Sequence, residues 1–139
     1  MRRLYGFVIG ALLLSGCVTA APFPPSPIPV WGFNVTDPVI SGSFITWALT
    51  EMNCQQGLVY AKRAEAERAR GTNQRPDSLG PCQPLTLSSG GEMWGYAYSA
   101  SQNYGTDYGK VFQQKSLCER SWTACAGVQR LTDCTPVTI

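Results

Sequence analysis

The sequence has 139 residues, with eleven Lys and Arg against nine Asp and Glu, and it contains no His. This length allows one domain with a modest core. Arg2 and Arg3 account for the formal charge of +2, so the remainder is neutral, which argues against a nucleic-acid partner because such partners require a clustered basic field. Without His, the commonest base and metal ligand near neutral pH is missing, and we expect no metal and no cofactor.

The first segment of the chain is basic and then apolar. Arg2 and Arg3 precede an almost unbroken apolar run over Leu4–Leu14. As a helix this run extends about 16 Å at ~1.5 Å per residue, roughly half of a bilayer core, and is therefore too short to span it. The order of basic, apolar and small residues predicts a secretory signal peptide over residues 1–16.

The end of this segment, Leu14-Ser15-Gly16-Cys17, resembles the bacterial lipobox. The resemblance implies cleavage before Cys17 and lipidation of its thiol, because several acyl chains together give a stable membrane anchor. Val18 follows in place of Asp, which favours the outer membrane, facing the periplasm, in enterobacteria. The alternative is an ordinary signal peptide cut near Ala20-Ala21, with Cys17 discarded.

A proline-rich spacer follows the cysteine. Val18–Pro29 holds five prolines and no charge, and such a composition favours a semi-rigid polyproline II segment. We therefore assign residues 17–30 to a tether and residues 31–139 to a single small domain. Trp31–Ile40 is aromatic and interrupted by proline, and we interpret it as a loop or an edge strand.

A long helix is predicted next, over about residues 43–70. Phe44, Ala48 and Met52, with Ile45 and Leu49, form an apolar stripe at helical spacing. The charged block that ends the segment is interpreted as a solvated helix end, and Gly71 suits the position after the last turn.

From Glu92 onward the pattern changes to period two. Aromatic residues alternate in two stretches, and the residues between them, 99–103, are turn formers. A helix is predicted from Lys110 to about Thr123, followed by strands at Val128–Arg130 and Thr135–Ile139 that pair with each other. The predicted fold class is α+β: the helix at about 43–70 plus a small antiparallel sheet in the order β-β-α-β-β, stabilised by disulfides.

Residues 94–139 also resemble a family of small secreted bacterial domains of unknown function. The resemblance lies in Trp94-Gly95-Tyr96-Ala97-Tyr98-Ser99, Tyr104-Gly105-Thr106-Asp107-Tyr108-Gly109, Ser116-Leu117-Cys118, Cys125 and Cys134. Departures from the family pattern occur at Asp107, Ser116, Leu117 and Ala124. The resemblance implies an exported domain and assigns no activity.

Five cysteines remain after Cys17, and an exported chain favours a disulfide framework. We expect Cys54 to bond Cys82, a link worth about 3.5 kcal/mol in the chain-entropy model. Cys118 bonds either Cys125 or Cys134, depending on where the helix between them ends. The odd number leaves one thiol free or bonded to another chain.

The function predicted from these features is binding. Tyr and Trp are enriched at binding hot spots, and the candidate binding residues are Trp94, Tyr96, Tyr98, Tyr104 and Tyr108. The predicted partners are the membrane, through the lipid at Cys17, and a protein, in one version a toxin or wall hydrolase that an immunity or inhibitor lipoprotein captures. The alternatives are a structural subunit of an envelope or secretion assembly, and a peptidoglycan-acting enzyme.

The enzyme alternative depends on two carboxylates flanked by aromatic residues, Glu92 and Asp107, which would form a glycosidase pair. The competing interpretation is that both acids are solvated. We predict no catalytic residue.

Overall fold

The computed structural model of the chain describes residues 27–38, 42–73, 76–100, 107–121, 128–130 and 132–139. They form a mixed α and β domain with two disulfides. In chain order the elements are β1 (Ile28–Asp37), β2 (Gly42–Ala48), α1 (Glu51–Gly71), β3 (Ser78–Leu79), β4 (Gln83–Ala100), β5 (Asp107–Phe112), α2 (Lys115–Ser121), β6 (Val128–Arg130) and β7 (Thr135–Thr138).

Four of the strands close into a small barrel. Strand β1 pairs with β2, β2 with β5, β5 with β4, and β4 returns to β1, all antiparallel. Strand β3 extends the sheet from β1, and β6 and β7 both pair with β4. Strand β4 reaches all these partners because it is 18 residues long and its register with β7 shifts between Ser89 and Met93. Gly90 and Gly91, with φ of 82° and 119°, permit this irregularity.

The barrel interior is filled by one side-chain set of each strand. Val30, Trp47, Leu87, Val111 and Val137 are each at most 1 % exposed and pack into one cluster. Trp47 is the largest of them, and its indole lies against the backbone of Gly109 on β5, where a Cβ atom would overlap the ring. The barrel therefore requires a glycine at position 109.

The other side-chain set faces outward and is covered by the two helices. Phe33, Val35 and Ala48 on this face pack with Cys54 and Leu58 of α1. Tyr96 and Phe112 pack with Cys118 of α2. The outer face of the barrel thus carries two further buried clusters, one beneath each helix.

Helix α1 has defined signals at its start and is bonded to the barrel. Thr50 is the N-cap, and its side chain accepts a hydrogen bond from the Asn53 amide at 3.2 Å, which satisfies a first-turn donor. The Cys54–Cys82 disulfide joins the first turn of the helix to the residue before β4. This pairing is the one predicted from the sequence, and it is confirmed.

Helix α2 is bonded to the chain before β7 by Cys118–Cys134. The sequence leaves Cys118 a choice of two partners, and the structure settles it in favour of Cys134. Helix α2 ends at Ser121. Cys125 lies outside the described residues, as do Cys17, Tyr104 and the tether residues 17–26.

Three expectations from the sequence are wrong about the first part of the domain. The helix does not begin near residue 43, because residues 42–48 form β2 and α1 begins at Glu51. Trp31–Ile40 is not a loop or an edge strand in its described part, because β1 pairs with β2, β3 and β4. Residues 28–30, assigned by composition to the tether, belong to β1.

The predicted sheet is also organised differently. Two strands precede α1, so the helix is not N-terminal to the sheet. Lys110 lies in β5 rather than in a helix, and α2 begins at Lys115. Strands β6 and β7 do not form the predicted hairpin, because β6 pairs with the end of β4 and β7 with its middle.

Candidate functional site

A groove of about 470 Å³ lies between α1 and the outer face of the barrel. Five aromatic residues contribute to its lining, and we call it the aromatic groove: Phe33, Phe44, Tyr60, Tyr98 and Tyr108. Pockets that bind small molecules in proteins have this size, since their typical volumes are roughly 300–1,000 Å³.

The groove exists because α1 presents small residues to it. Gly57, Ala61 and Ala64 line its helical wall, and their spacing of four and three residues places them on one helix face. A Cβ atom at Gly57 would meet one neighbour within 4 Å, a Phe33 ring atom at 3.8 Å. Glycine in a helix interior costs about 1 kcal/mol relative to alanine, so space at this position is kept at some expense of stability.

The barrel wall of the groove follows from strand register. Tyr98 of β4 is directly opposite Tyr108 of β5, and their rings stack with centroids 5.9 Å apart. Phe44 of β2 is opposite Phe112 of β5, and these rings stack at 5.1 Å. The ammonium group of Lys110 lies 5.1 Å from the centroid of the Phe44 ring. Alternate residues of three adjacent strands therefore form a continuous aromatic surface with one cation on it.

Tyr98 is a half-buried phenol of this wall. Burial, with smaller contributions from Tyr96 and Tyr108, raises the pKa of Tyr98 to about 12. Tyr98 thus remains a neutral phenol across the physiological range.

The lining of the groove includes two carboxyl groups that share an arginine. Glu65 and Asp77 both line the groove, and Arg68 joins them, with Nη2 at 2.7 Å from Glu65 Oε2 and 3.2 Å from Asp77 Oδ1. The Asp77 amide also donates to Glu65 Oε2 at 2.9 Å. These bonds attach the second half of α1 to the segment that leads into β3.

The two carboxyl groups respond in opposite ways to this environment. The hydrogen bond from Arg68 lowers the pKa of Glu65 below its ordinary value of 4.5. Burial raises the pKa of Asp77 above its ordinary value of 3.8, and repulsion from Asp37 and Glu65 adds to the shift. The ion pair with Arg68 lowers the pKa of Asp77 by less than burial and these repulsions raise it.

The candidate binding residues fall in different places. Tyr98 and Tyr108 line the groove. Tyr96 is 2 % exposed beneath α2, where its hydroxyl accepts a hydrogen bond from Ser121 Oγ at 3.1 Å. Trp94 is half-buried, with the Lys115 ammonium 5.1 Å from its ring centroid. A partner therefore reaches Tyr98 and Tyr108 directly, and Tyr96 only if α2 moves.

Sequence reasoning missed two aromatic residues of the barrel strands that line the groove together with these tyrosines. Phe33 and Phe44 lie in strands that were read as loop and helix, although Trp31, Phe33 and Val35 alternate at period two. Glu65 belongs to the charged block at residues 62–70, which the sequence predicts to be a solvated helix end. Glu65 pairs with Asp77, which is twelve residues further along the chain, and no local sequence pattern predicts a contact at that separation.

The proposed glycosidase pair is not assembled. Glu92 is exposed, next to Gly90 and Gly91 of β4. Asp107 of β5 is in register with Ser99, seven residues further along β4. At ~3.3 Å per residue of extended strand these positions are about 23 Å apart, well beyond the roughly 5–9.5 Å that separates the carboxyl groups of a glycosidase.

Within the described ranges, no group of three or more His, Cys, Asp or Glu side chains is placed to hold a metal ion. Neither helix of the described part has the length and apolar content that crossing a bilayer requires.

Comparison with known proteins adds no assignment. The chain matches no protein-family model, no curated protein and no solved structure.

Proposed function

We propose that the protein is a lipid-anchored component of the bacterial cell envelope, attached through Cys17, that acts by binding a protein partner in the aromatic groove. The basic and apolar start of the chain and its lipobox-like end support the anchor. The two disulfides are consistent with an oxidising compartment such as the periplasm. A concrete form is an immunity or inhibitor lipoprotein that captures a toxin or a wall hydrolase.

The observation that carries the binding proposal is the groove itself. Apolar and aromatic surface stays open between α1 and the barrel, and small residues on α1 keep it open. Aromatic side chains contribute strongly to protein interfaces because they bury large area at little cost in conformational entropy. Tyr98 and Tyr108 provide such area on the floor of the groove.

A second candidate is a structural subunit of an envelope or secretion assembly. The outer side of α1 favours it, because Met52 and Val59 are 67 % and 50 % exposed. Apolar residues that lie together on a surface mark protein contacts.

The anchor is tested by mass spectrometry of the mature protein from a bacterial host. We expect the N-terminal peptide to begin at Cys17 and to carry acyl chains, and a Cys17→Ala variant to lack them. An unmodified peptide that begins beyond residue 17 would contradict the anchor.

The binding role is tested by pull-down from an envelope extract with the full-length protein. Gly57→Leu fills the groove from the helix side, and Gly71→Leu makes the same substitution at the end of α1, where a Cβ meets nothing within 4 Å. We expect a partner that is retained by wild type and by Gly71→Leu and is released by Gly57→Leu. If both variants retain the partner, the contact lies outside the groove, and the outer side of α1 is favoured.

A further inference from the structure

We propose that the proline-rich segment before β1 docks in the aromatic groove of its own chain, and that a protein partner competes with it for that groove. The segment is residues 20–25, with the sequence Ala-Ala-Pro-Phe-Pro-Pro. This inference rests on the proposed binding function and adds an occupant of the groove for the state without a partner. It makes the tether a regulator of binding as well as a spacer.

The first argument is the chemical match between segment and groove. Residues 18–29 hold five prolines and no charge, a composition that favours polyproline II. Segments of this kind bind in grooves lined by aromatic side chains, because their conformation is already formed and little entropy is lost on binding. The aromatic groove offers such side chains on both of its walls, with Tyr60 on α1 and Tyr98 and Tyr108 on the barrel.

The second argument is the polar chemistry of the groove. Glu65 and Asp77 are already bonded to Arg68, and an uncharged segment leaves these bonds in place. A polyproline II backbone has no internal hydrogen bonds, so its carbonyl oxygens can accept from a protein. The hydroxyl of Tyr60, a groove residue that is 68 % exposed, is a donor of the kind that such a backbone requires.

The third argument is the length of the groove. Along β2, Phe44 lies four residues before Ala48, which is in register with Tyr108. Four residues of strand extend about 13 Å at ~3.3 Å per residue. Four to five residues of polyproline II cover the same distance at ~3.1 Å per residue. Residues 20–25 therefore suffice to fill the groove from Tyr108 to Phe44.

The fourth argument is the point at which the described chain begins. Through β2, Tyr108 is in register with Trp31, three residues after Ile28 at the start of β1. From Ile28, Tyr108 is therefore about 10 Å along the strands and two strand spacings of ~4.8 Å across them, about 14 Å in all. Phe23 precedes Ile28 by five residues, which extend about 15 Å in polyproline II. The chain is thus long enough to place residues 20–25 in the groove from its Tyr108 end.

Attachment to the same chain favours this occupant over a free one. A segment that is joined to its site by a few residues has an effective concentration in the millimolar range, so weak contacts suffice for docking. A partner then has to displace the segment, and its apparent affinity is reduced by the fraction of molecules in which the groove is open. Only residues 18 and 19 separate Cys17 from the segment, so the docked form also holds the groove close to the proposed lipid anchor.

Docking is tested by photo-cross-linking of the full-length protein in a non-ionic detergent. Phe23 is replaced by p-benzoyl-phenylalanine, the sample is irradiated, and the digested product is analysed by mass spectrometry. We expect a monomeric product in which residue 23 is joined to a groove residue such as Tyr60, Tyr98 or Tyr108. The absence of a cross-link, a cross-link only to residues outside the groove, or a product that joins two chains would overturn the proposal.

Three variants show whether the cross-link depends on the groove. Gly57→Leu fills the groove from α1, Tyr60→Ser removes an exposed aromatic ring from its wall, and Gly71→Leu is the matched control at a position with open space. We expect each groove variant to lower the yield of the cross-link about fivefold and Gly71→Leu to leave it unchanged. Circular dichroism checks the fold of each variant, and Tyr60→Ser decides the matter if Gly57→Leu does not fold. Equal yields in wild type and the groove variants would refute docking in the groove.

The pull-down separates this inference from the function on which it depends. A variant in which Pro22, Phe23, Pro24 and Pro25 are all replaced by Ser should retain more partner than wild type, because its groove is open. If it retains the same amount and Gly57→Leu releases the partner, groove binding stands and the competing segment is refuted. If the cross-link forms but Gly57→Leu still retains the partner, the docked segment stands and the partner binds elsewhere.

Discussion

The contact between Trp47 and Gly109 gives the sharpest test of the barrel. Gly109→Ala places a methyl group where the Trp47 indole now lies. The ring has no room to move, since Trp47 is 1 % exposed. The β5 backbone is held on both sides, because Gly109 is in register with Trp47 on β2 and with Ala97 on β4. We therefore expect a loss near the upper end of the range for overpacked cores, about 3 kcal/mol in the free energy of unfolding.

Urea unfolding followed by far-ultraviolet circular dichroism measures this loss. With a slope of about 2 kcal/mol per molar urea, the midpoint should fall by about 1.5 M. Trp47→Phe removes the part of the ring that the methyl group would meet, so the double variant should lose less than the sum of the two single losses by about 1–2 kcal/mol. Gly71→Ala, at a position with open space, should not lower stability. An unchanged midpoint for Gly109→Ala, or strict additivity in the double variant, would refute the packing argument.

Three other predictions concern the groove and its supports. Replacing both Cys54 and Cys82 by Ala opens a link between residues 28 apart and should lower the free energy of unfolding by about 3.5 kcal/mol; a loss below about 1 kcal/mol in urea would contradict it. Because the pKa of Glu65 is lowered in the fold, its stabilisation is present above pH 4.5 and is lost as pH falls through the folded pKa, so the amount by which Glu65→Gln lowers Tm should become smaller in acid. Because the pKa of Tyr98 is raised from 10.0 to about 12, stability should decline as pH rises through that interval, and Tyr98→Phe should remove part of the decline; identical alkaline profiles would count against the burial of this phenol.

Part of this fold follows from local sequence pattern. Trp94, Tyr96 and Tyr98 alternate with Gly95 and Ala97, and the structure places the aromatics outside the barrel and the small residues on its interior side. A strict period of two leaves only one strand orientation with a buried face. The alternation predicts the strand correctly, and it says nothing about which face a helix covers.

The prediction of a helix from about residue 43 is wrong because two periodicities compete in this part of the sequence. Phe44, Ala48 and Met52 fit a helical face, yet β-branched and aromatic residues between 44 and 47 also suit a strand. Pairing with β1 and β5 on either side decides the outcome. Both pairings depend on distant segments, so tertiary contacts override the local preference.

The groove could not be predicted for a related reason. Its helical wall comes from Gly57 to Glu65 and its floor from Tyr98 and Tyr108, segments that meet only when the barrel closes. Seen alone, Gly57 suggests a bend in the helix and Glu65 a solvated charge. Both residues line the groove only because a space remains between α1 and the barrel, and such a space leaves no periodic signal in a sequence.

The start of β1 and the end of β7 lie next to each other along β4, so an attachment at either end of the described domain would lie at the same place. Thr138 of β7 is in register with Ser88, and Ile28 of β1 with Leu87. Both strands run antiparallel to β4, so the last strand leads directly towards the first. A circularly permuted protein that joins these ends would keep every pairing of the barrel. An attachment at either end would therefore hold the domain at the same place beside β4. The groove would have the same orientation relative to the attachment point in both cases.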